Sequence, residues 1–168
     1  QMKTSFGITF KDGKFGGGVF DASTINANSD QYSALAANGA WVTGVKIVSG
    51  EVNYTEGANY DYTDANGVRY VGTLKGTGKL DNWTKGLNIN KDGTVANTVA
   101  YSIVNGKQVR TSFGITFDAA SGAFGVKFDV STINAHQNEF AVLQDGVWIT
   151  GIKMTSGNIN YVDGAQYD

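Results

Sequence analysis

The chain has 168 residues, with 13 Lys+Arg against 15 Asp+Glu, 23 Gly, no Pro, no Cys and one His. That length carries one good hydrophobic core, or one domain and part of a second; 41% apolar and 12% aromatic residues exclude disorder as the main state. Absent Cys excludes a disulfide frame and a thiolate zinc site, a lone His excludes a multi-histidine metal cage, and a net charge of −2 argues against a nucleic-acid grip.

Gln1–Ser5 carry no signal-peptide core, so an exported form has already lost its signal. No apolar run approaches the roughly 18 residues of a transmembrane helix. Phe6, Ile8 and Phe10 alternate and predict a strand over about 3–10, followed across Asp12-Gly13 by another near 15–21. Gly16-Gly17-Gly18 read as a strand bend. Asp21, Ser23, Thr24 and Asn26 read as a loop whose side chains bond its own backbone. The helix candidate is Asp30 to Ala37, capped by Ser29 or Asp30. Strands near 41–48 and 51–55 follow, joined by Ser49-Gly50; Trp41, Thr43, Val45 and Ile47 share a face, as do Trp148, Thr150, Ile152 and Met154, which assigns Trp41 and Trp148 to the core.

Further strands are expected near 68–75, 84–90 and 95–104. Gly76-Thr77-Gly78 does not link a strand to a helix and is no phosphate loop. Trp83 lies in a polar run and is a candidate stacking platform. Asn88 to Gly93 matches the first half of a calcium loop, but its twelfth position is Val99, so a hairpin turn is the better reading. Asn105-Gly106 is the strongest hairpin signal.

At residue 110 the sequence begins again. Lys3-Thr4-Ser5-Phe6-Gly7-Ile8-Thr9-Phe10 returns as Arg110-Thr111-Ser112-Phe113-Gly114-Ile115-Thr116-Phe117, an offset of 107. Ser23 to Ala27 returns as Ser131 to Ala135, Trp41 to Lys46 as Trp148 to Lys153, and Asn53 to Asp61 as Asn160 to Asp168. The offset changes by one residue only at Gly-containing turns, where strand register permits it. The chain therefore reads as copy A (1–62), intervening segment B (63–109) and copy A′ (110–168). It is either a stretch of a longer tandem array or two related halves around an insert. About seven strands per period predict an all-β fold, an antiparallel sandwich of immunoglobulin-like or jelly-roll-like type, with a barrel as the other option.

Glu56, Asn59, Tyr60 and Asp61 return as Asp163, Gln166, Tyr167 and Asp168. This repeated polar loop offers carboxylates, an amide and an aromatic ring, which suits a sugar, or calcium through Asp61 and Asp163. With Trp83 these residues form the candidate binding set. His136 aligns with Asn28 and so carries no chemistry common to both copies; it reads as a surface residue.

No nucleophile, base or acid pair is visible, and a non-enzymatic role is expected. The leading expectation is an extracellular β-repeat module of a bacterial surface or adhesion protein, secreted or surface-held. Its partner would be a polysaccharide or other matrix component. Self-association through the first strand as an open edge is a further option. The alternatives are a carbohydrate-binding module with two equivalent sites, aided by calcium, and a β-barrel carrier of a hydrophobic ligand.

Overall fold

Period-two apolar patterning produces a mostly antiparallel β-structure, 50% strand and 15% helix. The computed structural model describes residues 1–15 and 19–168, with backbone alone for Phe10, Lys11 and Phe15. The bend expected at Gly16 to Gly18 lies outside the described residues. No helix among the described residues is long and apolar enough to cross a membrane. The chain forms two compact units, residues 1–62 with 71–88, and residues 63–70 with 89–168.

Unit 1 contains β1 (Met2–Thr4), β2 (Phe10–Lys11), β3 (Lys14–Phe15), α1 (Ala22–Ala27), β4 (Tyr32–Leu35), β5 (Trp41–Val48) and β6 (Glu51–Thr63). Most of β7 (Arg69–Thr73) and all of β8 (Gly78–Lys79) follow. β4 lies between β1 and β5, and β6 lies between β5 and β8. Ser49 and Gly50, with φ of 50° and 78°, turn β5 into β6. That pair of positive φ values is the twist-matched hairpin turn.

Four expectations fail here. The strand expected over 3–10 forms only at its ends, in β1 and at Phe10 of β2, with Gly7 at φ 67° between them. Residues 30–37 are not helical: a short 3-10 turn at Ser29–Gln31 leads directly into β4. Pairing on both sides, with β1 and β5, overrides the local helix preference of the Ala-rich run. The helix forms earlier, in the polar run read as a loop, because Asp21 caps it by accepting from the Thr24 N–H at 2.8 Å. The strand expected over 84–90 is replaced by 3-10 turns over Leu80–Gly86. Leu80, Trp83 and Gly86 are the buried residues, and their spacing of three is the 3-10 period.

Unit 2 contains β9 (Thr98–Val104), β10 (Lys107–Thr111), β11 (Thr116–Asp118), β12 (Ala123–Gly125), α2 (Val130–Ala135), β13 (Phe140–Gln144), β14 (Val147–Thr155) and β15 (Asn158–Tyr167). The main sheet runs β9-β10-β13-β14-β15, and β11 pairs with β12. Asn105-Gly106, Asp145-Gly146 and Ser156-Gly157 make its hairpin turns, all at positive φ. The core joins Val109, Phe140, Val142, Ile152 and Met154 from the strands to Ile133 from α2. Asp129 caps α2 through the Thr132 N–H at 2.8 Å. His136 ends α2 and stacks on Phe113 at 3.9 Å, half-buried rather than a free surface side chain. Asn88 to Gly93 holds a turn in which the Asn90 N–H donates to the Thr94 carbonyl.

Trp41 and Trp148 also depart from expectation. Both are half-buried, and each carries a cation over its ring: Lys3 Nζ at 4.0 Å and Arg110 Cζ at 4.2 Å. The core positions of β5 are Val42 and Val45, an odd spacing that period-two reading misses. The alternation flips because Gly44 sits opposite a bulge in β6.

Candidate functional site

That bulge is where the polar candidate residues lie. In unit 1, Thr43 pairs with Asn59 and Val45 with Tyr54, so Gly44 alone faces Thr55, Glu56, Gly57 and Ala58. In unit 2, Thr150 pairs with Gln166 and Ile152 with Tyr161, so Gly151 alone faces Val162, Asp163, Gly164 and Ala165. Gly44 and Gly151 have φ of 100° and 101°, in the region that only glycine enters readily. A Cβ on Gly44 would stand 3.2 Å from the Ala58 Cα, and one on Gly151 would stand 3.3 Å from the Ala165 Cα. The polar segment is therefore not the loop expected. It is a kink built into β6 and β15, with its residues on strand positions on either side.

The two bulges stand in different surroundings. In unit 1 the segment 71–88 closes over β6. The Gly57 N–H donates to the Leu74 carbonyl at 3.0 Å, and the Leu74 N–H donates to the Ala58 carbonyl at 2.8 Å. Glu56 accepts from the Gly76 N–H, and Lys79 reaches Glu51 at 3.4 Å. β8 places Gly78 opposite Tyr54 so closely that a Cβ would lie 2.7 Å from the tyrosine oxygen. Tyr60 meets the Trp83 ring at 4.9 Å, and the indole N–H donates to the Asn38 side chain at 3.3 Å. Tyr54, Tyr60 and Trp83 are accordingly only 3%, 1% and 1% exposed, and burial pushes the Tyr54 pKa up.

Trp83 is thus no solvent-facing platform; it is a core residue of unit 1. The sequence presents it among Lys, Asp, Asn and Thr, and its burial follows from the three-residue period rather than from local polarity. Tyr60 is withdrawn with it. Glu56 and Asn59 remain exposed, and Asp61 is half-buried opposite Trp41.

In unit 2 the matching face is open. Tyr161 and Tyr167 are 75% and 84% exposed. Asp163, Gln166 and Asp168 are exposed beside them. The strand itself is firmly placed: the backbone N–H groups of Trp148 and Asp168 each donate to the other's carbonyl, at 2.9 and 2.8 Å. Asp61 and Asp163, the expected calcium ligands, belong to different units. Among the described residues no group of three or more His, Asp or Glu is placed to hold a metal ion.

Sequence reasoning passed over Tyr161, although its alignment with Tyr54 was available. It also passed over the cation–aromatic series on the sheet of unit 2. There Arg110 covers Trp148, Tyr101 meets Trp148 edge-on at 5.9 Å, and Arg69 lies 5.5 Å from the Tyr101 ring. The signal was the basic residue shared by positions 3 and 110, each near a Trp across two strands.

Compared with known proteins, the chain matches no family model, no curated protein and no solved structure.

Proposed function

We propose that the chain is a non-catalytic structural and interaction module of a secreted or cell-surface bacterial protein, made of one β-unit used twice with segment 63–109 between. The observation that carries this reading is the scaffold that the two units have in common, a capped helix packed on a sheet whose strand is kinked by the same bulge.

The common scaffold supports the reading. Asp21 and Asp129 cap equivalent helices, and Gly44 and Gly151 face equivalent bulges. The carboxylates held below their usual range, Asp21, Asp92, Asp118 and Asp129, are each engaged by the backbone of their own turn. Their perturbation has a structural cause. The finer fold reading, an immunoglobulin-like or jelly-roll-like sandwich, rests on strand number and size.

The alternative of a carbohydrate-binding module keeps one specific support: Tyr167 stands exposed beside Gln166 and Asp168. It would then have one open site rather than two equivalent ones. A thermal-shift screen against glycans, polysaccharides, lipids and small metabolites, run with calcium and again with chelator, separates the readings. The module reading expects an unchanged Tm throughout. A glycan that raises Tm in wild type but not in Tyr167→Ala overturns it in favour of the lectin.

A further inference from the structure

The same polar cleft opens in each unit. In unit 1 it is lined by Lys3, Ser5, Asp30, Gln31, Ser33 and Thr43. In unit 2 the equivalent positions line it: Arg110, Ser112, Asn138, Glu139, Ala141 and Thr150. It lies on the sheet face turned away from the core, since Arg110, Ala141 and Thr150 are paired neighbours of one another and alternate with the core residues Val109 and Val142. Its shape has one cause in both copies. The Thr4 hydroxyl donates to the Gln31 carbonyl at 2.7 Å and accepts the Phe6 N–H at 2.9 Å. The Thr111 hydroxyl donates to the Glu139 carbonyl at 2.6 Å and accepts the Phe113 N–H at 3.0 Å. This clamp ties the end of β1 or β10 to the short 3-10 turn before β4 or β13. The turn's last two side chains stand exposed at the rim.

The chemistry repeats even where the residues differ. Each cleft has one cation held on a tryptophan ring, Lys3 on Trp41 and Arg110 on Trp148. Each has a carboxylate and a carboxamide on successive residues, in opposite orders: Asp30-Gln31 and Asn138-Glu139. Each has a serine and a threonine hydroxyl, Ser5 with Thr43 and Ser112 with Thr150. The neighbouring segments do not fill it. β9 runs beside β10 and only adds a wall, through Val99. Among the described residues, segment 71–88 lines no part of the unit 1 cleft. In unit 2 the cleft continues into a second one of about 610 Å³, which shares Val99, Ser112 and Glu139 with it and runs on past Asn97, Asp92 and Asn90.

The geometry points to a binding groove for a neutral glycan chain, present in both units and extended in unit 2. A carboxylate accepts from adjacent sugar hydroxyls, a carboxamide donates and accepts, and an ammonium or guanidinium donates. Ring stacking is not the mode, because the cation occupies the tryptophan face. A peptide strand finds no edge here, because β10 is paired on both sides. The charges favour a neutral chain over an acidic one. Each cleft sets one cation against one carboxylate, and Asp92 adds another carboxylate in unit 2. The inference rests on the interaction-module reading and gives the partner its chemical class. Such open, hydrogen-bonded sugar contacts bind with a Kd on the order of millimolar, which leaves Tm unchanged with dilute glycan, as that reading expects.

The test is an NMR titration of the isotopically labelled intact chain with maltotetraose, cellotetraose and mannotetraose at millimolar concentration. With at least one of them, saturable amide shifts are expected at Ser112, Asn138, Glu139 and Thr150, and at their counterparts Ser5, Asp30, Gln31 and Thr43, alike in low and high salt. Asn138→Ala combined with Glu139→Ala changes two exposed side chains. It should weaken the unit 2 response by at least about tenfold and leave the unit 1 response in place. Absence of saturable shifts at these residues with every neutral probe overturns the inference and leaves the module reading standing. A larger response to tetragalacturonate that high salt removes also overturns it, in favour of recognition by charge. Shifts confined to β15 and abolished by Tyr167→Ala overturn both the inference and the module reading.

Discussion

Asn134 and Met154 exchange two hydrogen bonds: the Met154 N–H donates to Asn134 Oδ1 at 2.7 Å, and Asn134 Nδ2 donates to the Met154 carbonyl at 3.1 Å. Asn26 makes the same pair with Ile47, at 2.7 and 3.0 Å. The reason lies in strand length. β13 pairs with β14 only as far as Thr150, and β4 with β5 only as far as Thr43. Beyond those points the strand edge faces α2 or α1, and the asparagine amide stands in for a missing strand residue. No other side chain of that length offers a donor and an acceptor in the peptide geometry.

Asn134→Ala should therefore destabilise the protein by about 1–3 kcal/mol, the loss of two hydrogen bonds at a half-buried edge. Asn134→Asp keeps the acceptor and sets a carboxylate against the Met154 carbonyl. Its cost should shrink in acid, where the protonated carboxyl can donate again. Urea denaturation at pH 7 and pH 4 measures both. Equal stability of Asn134→Ala and wild type would show that water replaces the amide without cost.

Gly44 and Gly151 are predicted to resist substitution far more than the glycines inside the bulges. Gly151→Ala forces φ near 101° on an alanine and brings its Cβ within 3.1 Å of the Val162 side chain and 3.3 Å of the Ala165 Cα. Strain of this kind costs on the order of 1–3 kcal/mol before any clash is counted. Gly164, at φ 79°, has nothing within 4 Å of its Cβ position, so Gly164→Ala should cost less. Comparing the denaturation midpoints of the two variants tests the ranking; equal losses would mean that packing at Gly151 is irrelevant.

The parts legible in the sequence were those with local causes. Asn105-Gly106 and Ser49-Gly50 marked hairpin turns because positive φ selects those residues. Alternation marked β5 and β14, and self-similarity marked the two bulged segments. What escaped depended on partners distant in the chain. Trp83 looked exposed among polar neighbours, yet it is buried against Tyr60, which no local pattern shows. Trp41 looked like core because the flip at Gly44 depends on an excess of residues in the facing strand, not in its own. Residues 30–37 looked helical because their two strand partners, β1 and β5, lie outside any local window.

Acid should weaken the fold through its caps. The Thr132 backbone N–H, then the Thr132 and Ser131 side chains, hold the Asp129 carboxyl below its ordinary 3.8, and Thr24 and Ser23 do the same for Asp21. A carboxylate lowered in the folded state adds stability that is fully present above its unfolded pKa. It is lost as pH falls through 3.8 toward the lower folded value. Asparagine also caps helices well. The double change Asp21→Asn with Asp129→Asn should thus alter Tm little at pH 7 and flatten its fall below pH 4. Asp92 and Asp118 are lowered likewise, so the fall should become shallower without vanishing. Parallel Tm–pH curves for wild type and double variant would assign the acid limb elsewhere.

The sharpest contrast concerns Trp83 and Tyr167, two aromatic residues that the sequence presented as equivalent parts of a binding set. Trp83 packs on Tyr60 at 4.9 Å and Tyr62 at 6.1 Å and donates to Asn38, all within unit 1. Trp83→Ala should leave a large cavity beside Tyr60 and cost about 3–5 kcal/mol. It also strands the Asn38 acceptor, whose oxygen takes the Ala40 N–H at 3.1 Å as well and so keeps one partner. Tyr167 is 84% exposed, and Tyr167→Ala should change stability by less than about 0.5 kcal/mol. Urea denaturation of the two variants separates scaffold from surface. If Trp83→Ala folded as stably as Tyr167→Ala, segment 71–88 would not be the cover of β6.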